Sequence, residues 1–193
     1  MAGAVAATMS LWHAHELRRI EMGWNDKDMT DTFTLVVNGR RETVAADGAT
    51  PLLAVLRNSL DLKGSRHGCG LEQCGACMVL VDGAPAYSCT LAVEAAAGKQ
   101  VTTIEGLGTP DAPHPIQAAF LELQAGQCGY CLSGMMIEAK ALLDTNPSPS
   151  RPDIVAALDK HLCRCGAHLR IIKAVERAAE LLRQGPATTV KGA

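Results

Sequence analysis

The period of hydrophobic and polar positions changes once along this chain, and the change divides it. Phe33 to Val37 is a β-rich run, Asn38-Gly39 carries the signal of a type I′ hairpin, and Glu42 to Ala45 reads as the returning strand. Thr50 followed by Pro51 marks a helix start, a capping residue ahead of a proline at the first helical position. Leu52, Leu53, Val55, Leu56 and Leu60 supply that helix's buried stripe. Met78 to Val81, Asp82-Gly83 and Ala84 to Ser88 read as a second hairpin, and Val101 to Ile104 as a last strand. Strands, one helix and another hairpin in so short a stretch predict a small α+β domain over residues 31–105.

Gly106 to Pro115 is dense in glycine and proline, which predicts a linker at residues 106–114. The period is helical from there on. Ile116, Ala119, Phe120 and Leu123 share one face, and Leu132, Met135, Met136, Ala139 and Leu143 share another. Ser150 and Asp153 give a capping signal for a helix holding Ile154, Val155, Leu158 and Leu162. A last helix carries Ile171, Ile172, Val175, Ala178, Ala179 and Leu182. Four short amphipathic helices bury their stripes against one another, so residues 115–184 are expected to form a four-helix bundle. Residues 1–30 lack clean periodicity and hold both tryptophans, Trp12 and Trp24; they read as an N-terminal extension, and residues 185–193 as a C-terminal tail.

Composition narrows the function. The 48% hydrophobic content excludes disorder throughout, and with aromatic residues at only 3% the core must be aliphatic. Eighteen Lys and Arg against twenty Asp and Glu leave a formal charge of −2, with no electrostatic footprint for nucleic acid or an anionic membrane. No apolar run approaches the roughly 20 residues of a spanning helix. Met1 to Ser10 is Ala-rich but uncharged and is followed at once by His13, His15, Glu16, Arg18 and Arg19, so no secretory leader is expected. With eight cysteines, that favours reduced thiols and assembly in the cytoplasm, export alongside a signal-bearing partner being the alternative.

The cysteines fall into two groups of four. Cys69-x4-Cys74-x2-Cys77 followed by Cys89 has the plant-type [2Fe–2S] ferredoxin spacing, four soft anionic ligands closing one cluster. Gly68, Gly70 and Gly75 are expected to allow positive φ in the loop and to free backbone N–H groups to approach the sulfurs. A structural zinc site is the competing use of such thiols. Cys128-x2-Cys131 and Cys163-x-Cys165 each precede a helix, so two positive helix ends could face an anionic cluster. Alone, Cys128-Gly129-Tyr130-Cys131 resembles a redox dithiol, but that motif wants a strand before it and leaves Cys163 and Cys165 without a use.

The stretches HGCGLEQCGACMVLVDG, QCGYCLSGMMI and HLCRCGAHLRI, in this order, resemble the small iron–sulfur subunit of the molybdenum hydroxylases, the xanthine oxidase family. The resemblance implies a β-grasp ferredoxin-like domain followed by a four-helix bundle, each with a [2Fe–2S] cluster. It implies a large partner subunit holding a molybdopterin cytosine dinucleotide, and a flavin subunit or cytochrome as acceptor. The bundle cluster would lie nearer the pterin, with Gln127 and Cys165 contacting it. Gly166-Ala167-His168 stands where many members have Thr-Gly-Tyr, which looks more like the branch acting on aldehydes, nicotinate and isoquinoline. A free-standing two-cluster ferredoxin and a zinc-stabilised module are the alternatives.

Other residues read more simply. His67 is expected to be a polar loop group or a tuner of the first cluster, and Arg164 a solvated arginine or a bridge to the partner. Met135 and Met136 read as core, while Lys173, Glu176, Arg177 and Glu180 form a solvated helix face. No Walker loop, Ser–His–Asp set or carboxylate pair is visible, so no catalytic residue is expected in this chain.

Overall fold

The computed structural model describes residues 30–185; the extension with Trp12 and Trp24, and nearly all of the tail, lie outside the described residues. Strands β1 (Asp31–Val37) and β2 (Arg40–Ala46) pair antiparallel, with Phe33 opposite Val44. Asn38 and Gly39, at φ of 51° and 77°, make the primed turn that the Asn-Gly dipeptide predicts. Helix α1 is a single turn, Leu52–Ala54, that widens at once into a π turn over Val55–Ser59. Pro51, rather than Thr50, occupies the capping position, and no side chain caps it. The Thr50 carbonyl instead accepts the N–H of Val93.

The second hairpin, β3 (Met78–Val81) and β4 (Ala84–Tyr87), turns at Asp82-Gly83 as expected. A short helix α2 (Val93–Ala96), not read from the sequence, precedes β5. Strand β5 is Gln100–Thr102, and Ile104 already belongs to a 3₁₀ turn, Ile104–Gly106. The sheet order is β2-β1-β5-β3-β4, with β1 and β5 parallel and every other pair antiparallel. One face clasps α1: Leu35, Val37, Val44, Leu52, Val55, Leu56, Val79, Val93 and Val101 form one buried aliphatic core, a β-grasp arrangement.

Four helices follow: α3 (Pro115–Glu122), α4 (Leu132–Thr145), α5 (Arg151–Leu158) and α6 (His168–Gln184). Two start with reciprocal caps. His114 Nδ1 accepts from Ile116 N–H while Gln117 accepts from His114 N–H, and Ser150 and Asp153 do the same for α5. Burial, with Lys140 nearby, pushes the His114 pKa down, which keeps Nδ1 bare and able to accept. Ile116, Met135, Ile154, Ile171 and Val175 are fully buried in a second core. The polar face of α6 is tied down by Arg151–Glu176, Arg177–Glu122 and Arg177–Glu180 ion pairs.

Four stripe positions expected on buried helix faces are exposed: Leu123, Val155, Leu162 and Leu182. Leu162 continues the i+4 period from Leu158, yet a turn closed by His161 N–H on the Leu158 carbonyl ends α5, and Leu162 is 62% exposed.

The two cores meet along a seam. Met78, Leu80 and Ile137 are buried there, with Tyr87, Leu107 and Ala141 packed around them. Gly134 of α4 presses directly on the loop before β3, since a Cβ at Gly134 would lie 1.9 Å from the Gly75 carbonyl oxygen.

Candidate metal centres

The first cysteine loop runs from the π turn to β3 and is closed at its base by Arg66 N–H on the Ala76 carbonyl. Within it, backbone donors turn inward onto sulfur. Leu71 and Gln73 N–H both donate to Cys69 Sγ, and Cys69 N–H donates to Cys74 Sγ, each at 3.3 Å. Burial would raise the Cys69 thiol, but the Leu71 and Gln73 N–H groups, together with Cys74, lower its pKa to about 7. Gly70 and Gly75 take positive φ, 68° and 71°, as the sequence suggests. Gly68 does not. Its missing side chain makes room instead, since a Cβ there would come within 2.5 Å of Cys74 Sγ.

Gly75 has a second reason to be bare. The His161 ring reaches across the seam, and a Cβ on Gly75 would meet Nδ1 at 2.0 Å. His161 Nε2 faces the Glu138 carboxylate at 3.5 Å, and Lys160 Nζ reaches the other oxygen at 3.0 Å. Both His161 and Glu138 are buried, and Nδ1 has no hydrogen-bond partner. With the proton on Nε2 toward Glu138, Nδ1 presents a lone pair to Gly75, which costs less than an orphaned N–H. Burial opposes the Glu138 charge, but His161 and Lys160 outweigh it and hold the carboxyl below its usual range. No periodicity or motif points to this pair; only the fold brings residues 75, 138 and 161 together.

The fourth cysteine of the first group enters from β4. Ser88 Oγ donates to the Cys77 carbonyl at 2.6 Å, and Ser88 in turn accepts Leu53 N–H, so the segment before Cys89 is anchored twice. Thr90, just after Cys89, donates to the Glu72 carboxylate. Glu72 sits at φ 58° in the loop and links its tip to the incoming strand, a role that sequence reasoning missed.

The second group assembles from two inter-helix loops. Cys131 is the N-cap residue of α4, and Cys163 and Cys165 lie just before α6, so both helices begin beside sulfur. Ala167 N–H donates to Cys163 Sγ at 3.4 Å. Gly129 and Gly166 take positive φ, 78° and 68°, at the two turns. Gln127 Nε2 donates to the Cys165 carbonyl at 3.4 Å, which brings together the two residues singled out for a pterin contact.

The sulfurs pair in a definite way. In the first group Cys69 is the hydrogen-bonding neighbour of Cys74, and Cys77 of Cys89. In the second, Cys128 meets Cys165 and Cys131 meets Cys163. All eight thiols are free, and Cys128 has as its hydrogen-bonding neighbour Cys165 of the other loop, a residue that the dithiol reading leaves without a use. Neighbouring thiols within each group suit a [2Fe–2S] cluster, which takes two thiolates on each iron. One zinc ion needs its donors about a single point. Burial, joined by the neighbouring thiols, pushes Cys77 and Cys131 up to about 12. Cys128 is lowered by Tyr130 N–H and Cys165, and Cys163 is lowered by Ala167 N–H and Cys131 against the opposing effect of burial. Between the groups lies a cavity of about 490 Å³, lined by Cys69 and Cys74 on one side and Cys128, Cys131, Cys163 and Arg164 on the other.

Comparison with known proteins follows the same division. Residues 35–103 match the 2Fe-2S iron–sulfur cluster binding domain, and residues 103–176 match the [2Fe-2S] binding domain. One subunit of the nicotinate dehydrogenase of Pseudomonas putida is 53% identical over 81% of this chain and 99% of its own length. The alpha subunit of isoquinoline 1-oxidoreductase from Brevundimonas diminuta is 47% identical over 75% of this chain and 95% of its own. The solved aldehyde oxidoreductase of Desulfovibrio desulfuricans superposes with a TM-score of 0.78 at 41% identity; the match covers 81% of this chain but only 18% of that one. With both domains matched in order and a relative covered end to end, this chain belongs to the family of small [2Fe–2S] iron–sulfur subunits of the molybdenum hydroxylases.

Proposed function

We propose that this chain relays electrons through two [2Fe–2S] centres, from a molybdenum–pterin centre in a large partner subunit to a separate acceptor. Cys69, Cys74, Cys77 and Cys89 hold the first centre within a domain spanning residues 31–105. Cys128, Cys131, Cys163 and Cys165 hold the second within a helical domain spanning residues 115–184, beyond a linker at residues 106–114. The observation that carries this reading is the match of both halves, in order, to [2Fe–2S] binding domains, with four cysteines inside each matched stretch. When bound, the clusters supply one-electron carriers, so the electron pair of a substrate oxidation crosses singly.

The protein's own part is to hold charge and position. The N–H groups of Cys69, Leu71, Gln73 and Ala167 donate to sulfur, which stabilises thiolate charge and favours the reduced, more negative state. Gln127 and Cys165 face the molybdopterin cytosine dinucleotide of the partner. The 18% share of the larger aldehyde oxidoreductase chain supports a catalytic partner several times this size. Relatives named for nicotinate and isoquinoline, with Gly166-Ala167-His168, favour an aldehyde or N-heteroaromatic substrate, and the acceptor is a flavin subunit or a cytochrome. No helix among the described residues is long and apolar enough to cross a membrane; assembly is assigned to the cytoplasm, with export on a signal-bearing partner as the alternative.

Anaerobic purification of the native chain with its companions, followed by iron, labile sulfide and molybdenum analysis, tests this. The expected result is about four iron and four sulfide per chain, with molybdenum in a large copurifying subunit. Zinc without sulfide overturns the proposal in favour of a structural module. Iron and sulfide with no large companion turn it into a free-standing two-cluster ferredoxin.

A further inference from the structure

Two hydrogen bonds cross directly from one cysteine loop to the other. Leu162 N–H donates to the Cys74 carbonyl at 3.1 Å, and the Tyr130 hydroxyl donates to the His67 carbonyl at 2.5 Å. The Arg66 guanidinium also lies over the Tyr130 ring, 5.3 Å from its centroid. Tyr130 stands between Cys128 and Cys131 of one group, whereas Arg66 and His67 lead into Gly68-Cys69 of the other. His67 is held from its far side too, because its ring packs over Gly70, within 3.1 Å of where a Cβ would stand. A tyrosine that served only as core would bury its ring. This one stays 47% exposed and uses its hydroxyl and its π face on the opposite loop.

Resting on the two-cluster reading above, the geometry points to Tyr130 as a positioning residue that fixes the spacing of the two centres and so governs electron exchange between them. Its hydroxyl bond and its cation–π contact both fall on the first loop ahead of the cysteines, at His67 and Arg66. The acceptor is a backbone carbonyl, so the side chain at position 67 has no part in the bond. Removing one hydrogen bond of ordinary strength weakens the observed arrangement of the two loops, relative to any separated one, by roughly two- to tenfold. Among the described residues the other direct bond between the loops, Leu162 to Cys74, is of backbone origin and survives in a Tyr130 variant.

Tyr130→Phe in the assembled complex keeps the ring under Arg66 and deletes only the hydroxyl. Iron and sulfide per chain are expected to stay at the wild-type level. In the fully reduced complex, the weakly coupled share of the paramagnetic signal from the two centres should rise roughly two- to tenfold. Electron exchange after a reducing pulse should slow as the weakly coupled share grows. Arg66→Gln should move both readouts the same way. Wild-type coupling and exchange in Tyr130→Phe overturn the proposal. Loss of iron from either centre in that variant also overturns it, because the hydroxyl would then build a cluster loop rather than space two of them. A wild-type complex without two distinct iron–sulfur signals would instead sink the two-cluster reading itself, so the two failures are distinguishable.

Discussion

Gly75→Ala is the substitution most directly worked from the structure. Two separate penalties meet at this position. The backbone sits at φ 71°, where an L side chain costs about 1–2 kcal/mol. The new methyl would also stand 2.0 Å from His161 Nδ1, in a packed seam where overfilling costs about 1–3 kcal/mol. Together they predict a loss of about 2–5 kcal/mol, a large share of the stability of an ordinary domain. His161→Ala removes the steric partner and leaves the backbone cost in place. In that background Gly75→Ala should cost only about 1–2 kcal/mol, and a double-mutant cycle should return the difference as coupling. Denaturant unfolding of wild type, both single variants and the double variant measures it, with Gly70→Ala as a control. Gly70 shares the positive φ, but its nearest neighbour is the far end of the His67 ring at 3.1 Å, so about 1–2 kcal/mol is expected there. Equal costs for Gly75→Ala with and without His161 would refute the claim that a residue of the helical half shapes the first cysteine loop.

Other expectations follow from the same seam and from the thiols. Gly134→Ala should destabilise by about 1–3 kcal/mol although alanine is the better helix former by about 1 kcal/mol, because its methyl would strike the Gly75 carbonyl; a raised melting temperature would contradict this. Glu138→Gln should cost about 1–3 kcal/mol at neutral pH. The wild-type carboxyl is held below its unfolded range, so its contribution is present above that range and is lost as pH falls through the lower folded value; the two stability curves should converge in acid. Cluster loading should release protons and strengthen as pH rises, since Cys77 and Cys131 stand near 12 in the cluster-free chain and must give up their protons to bind iron. Reconstitution at pH 6.5 and 8.5 with a proton-sensitive dye checks the sign, and loading independent of pH would exclude it.

What the sequence made legible is what local rules control. The Asn38-Gly39 and Asp82-Gly83 turns, the Ser150–Asp153 cap and the aliphatic stripes of the helices all rest on residues within a few positions of one another. The grouping of the eight cysteines into two sets of four is legible in the same way, from short spacings that suit a cluster loop. The resemblance to a known family supplied the β-grasp arrangement, which the element order alone leaves as a generic α+β domain. Leu162 misleads because helical period continues in the sequence past the point where the chain must leave the helix to present Cys163. The π turn after α1, the Glu72–Thr90 link and the Glu138–His161 pair were illegible because each depends on contacts that no periodicity encodes.

The misread positions are concentrated in the loops and at the seam, and function gives a reason. Apolar contact between the halves, through Met78, Leu80 and Ile137, supplies attraction but little register, since hydrophobic burial is non-directional. A relay between two centres needs a fixed separation. Directional contacts provide it: the Gly75 carbonyl against Gly134, the His161 ring against the bare Gly75, and Leu162 N–H on the Cys74 carbonyl. Burying Glu138 beside His161 is costly in isolation and gains meaning as a positional device, because the charge is satisfied only when α4 and the loop after α5 stand in one arrangement. Gly75 then serves three masters at once, the turn of a cysteine loop, the seat of a histidine and the footing of a helix. A methyl group there strains the turn and strikes the histidine, whereas Gly70, with a similar backbone angle and only the tip of a ring nearby, answers to the turn and little else.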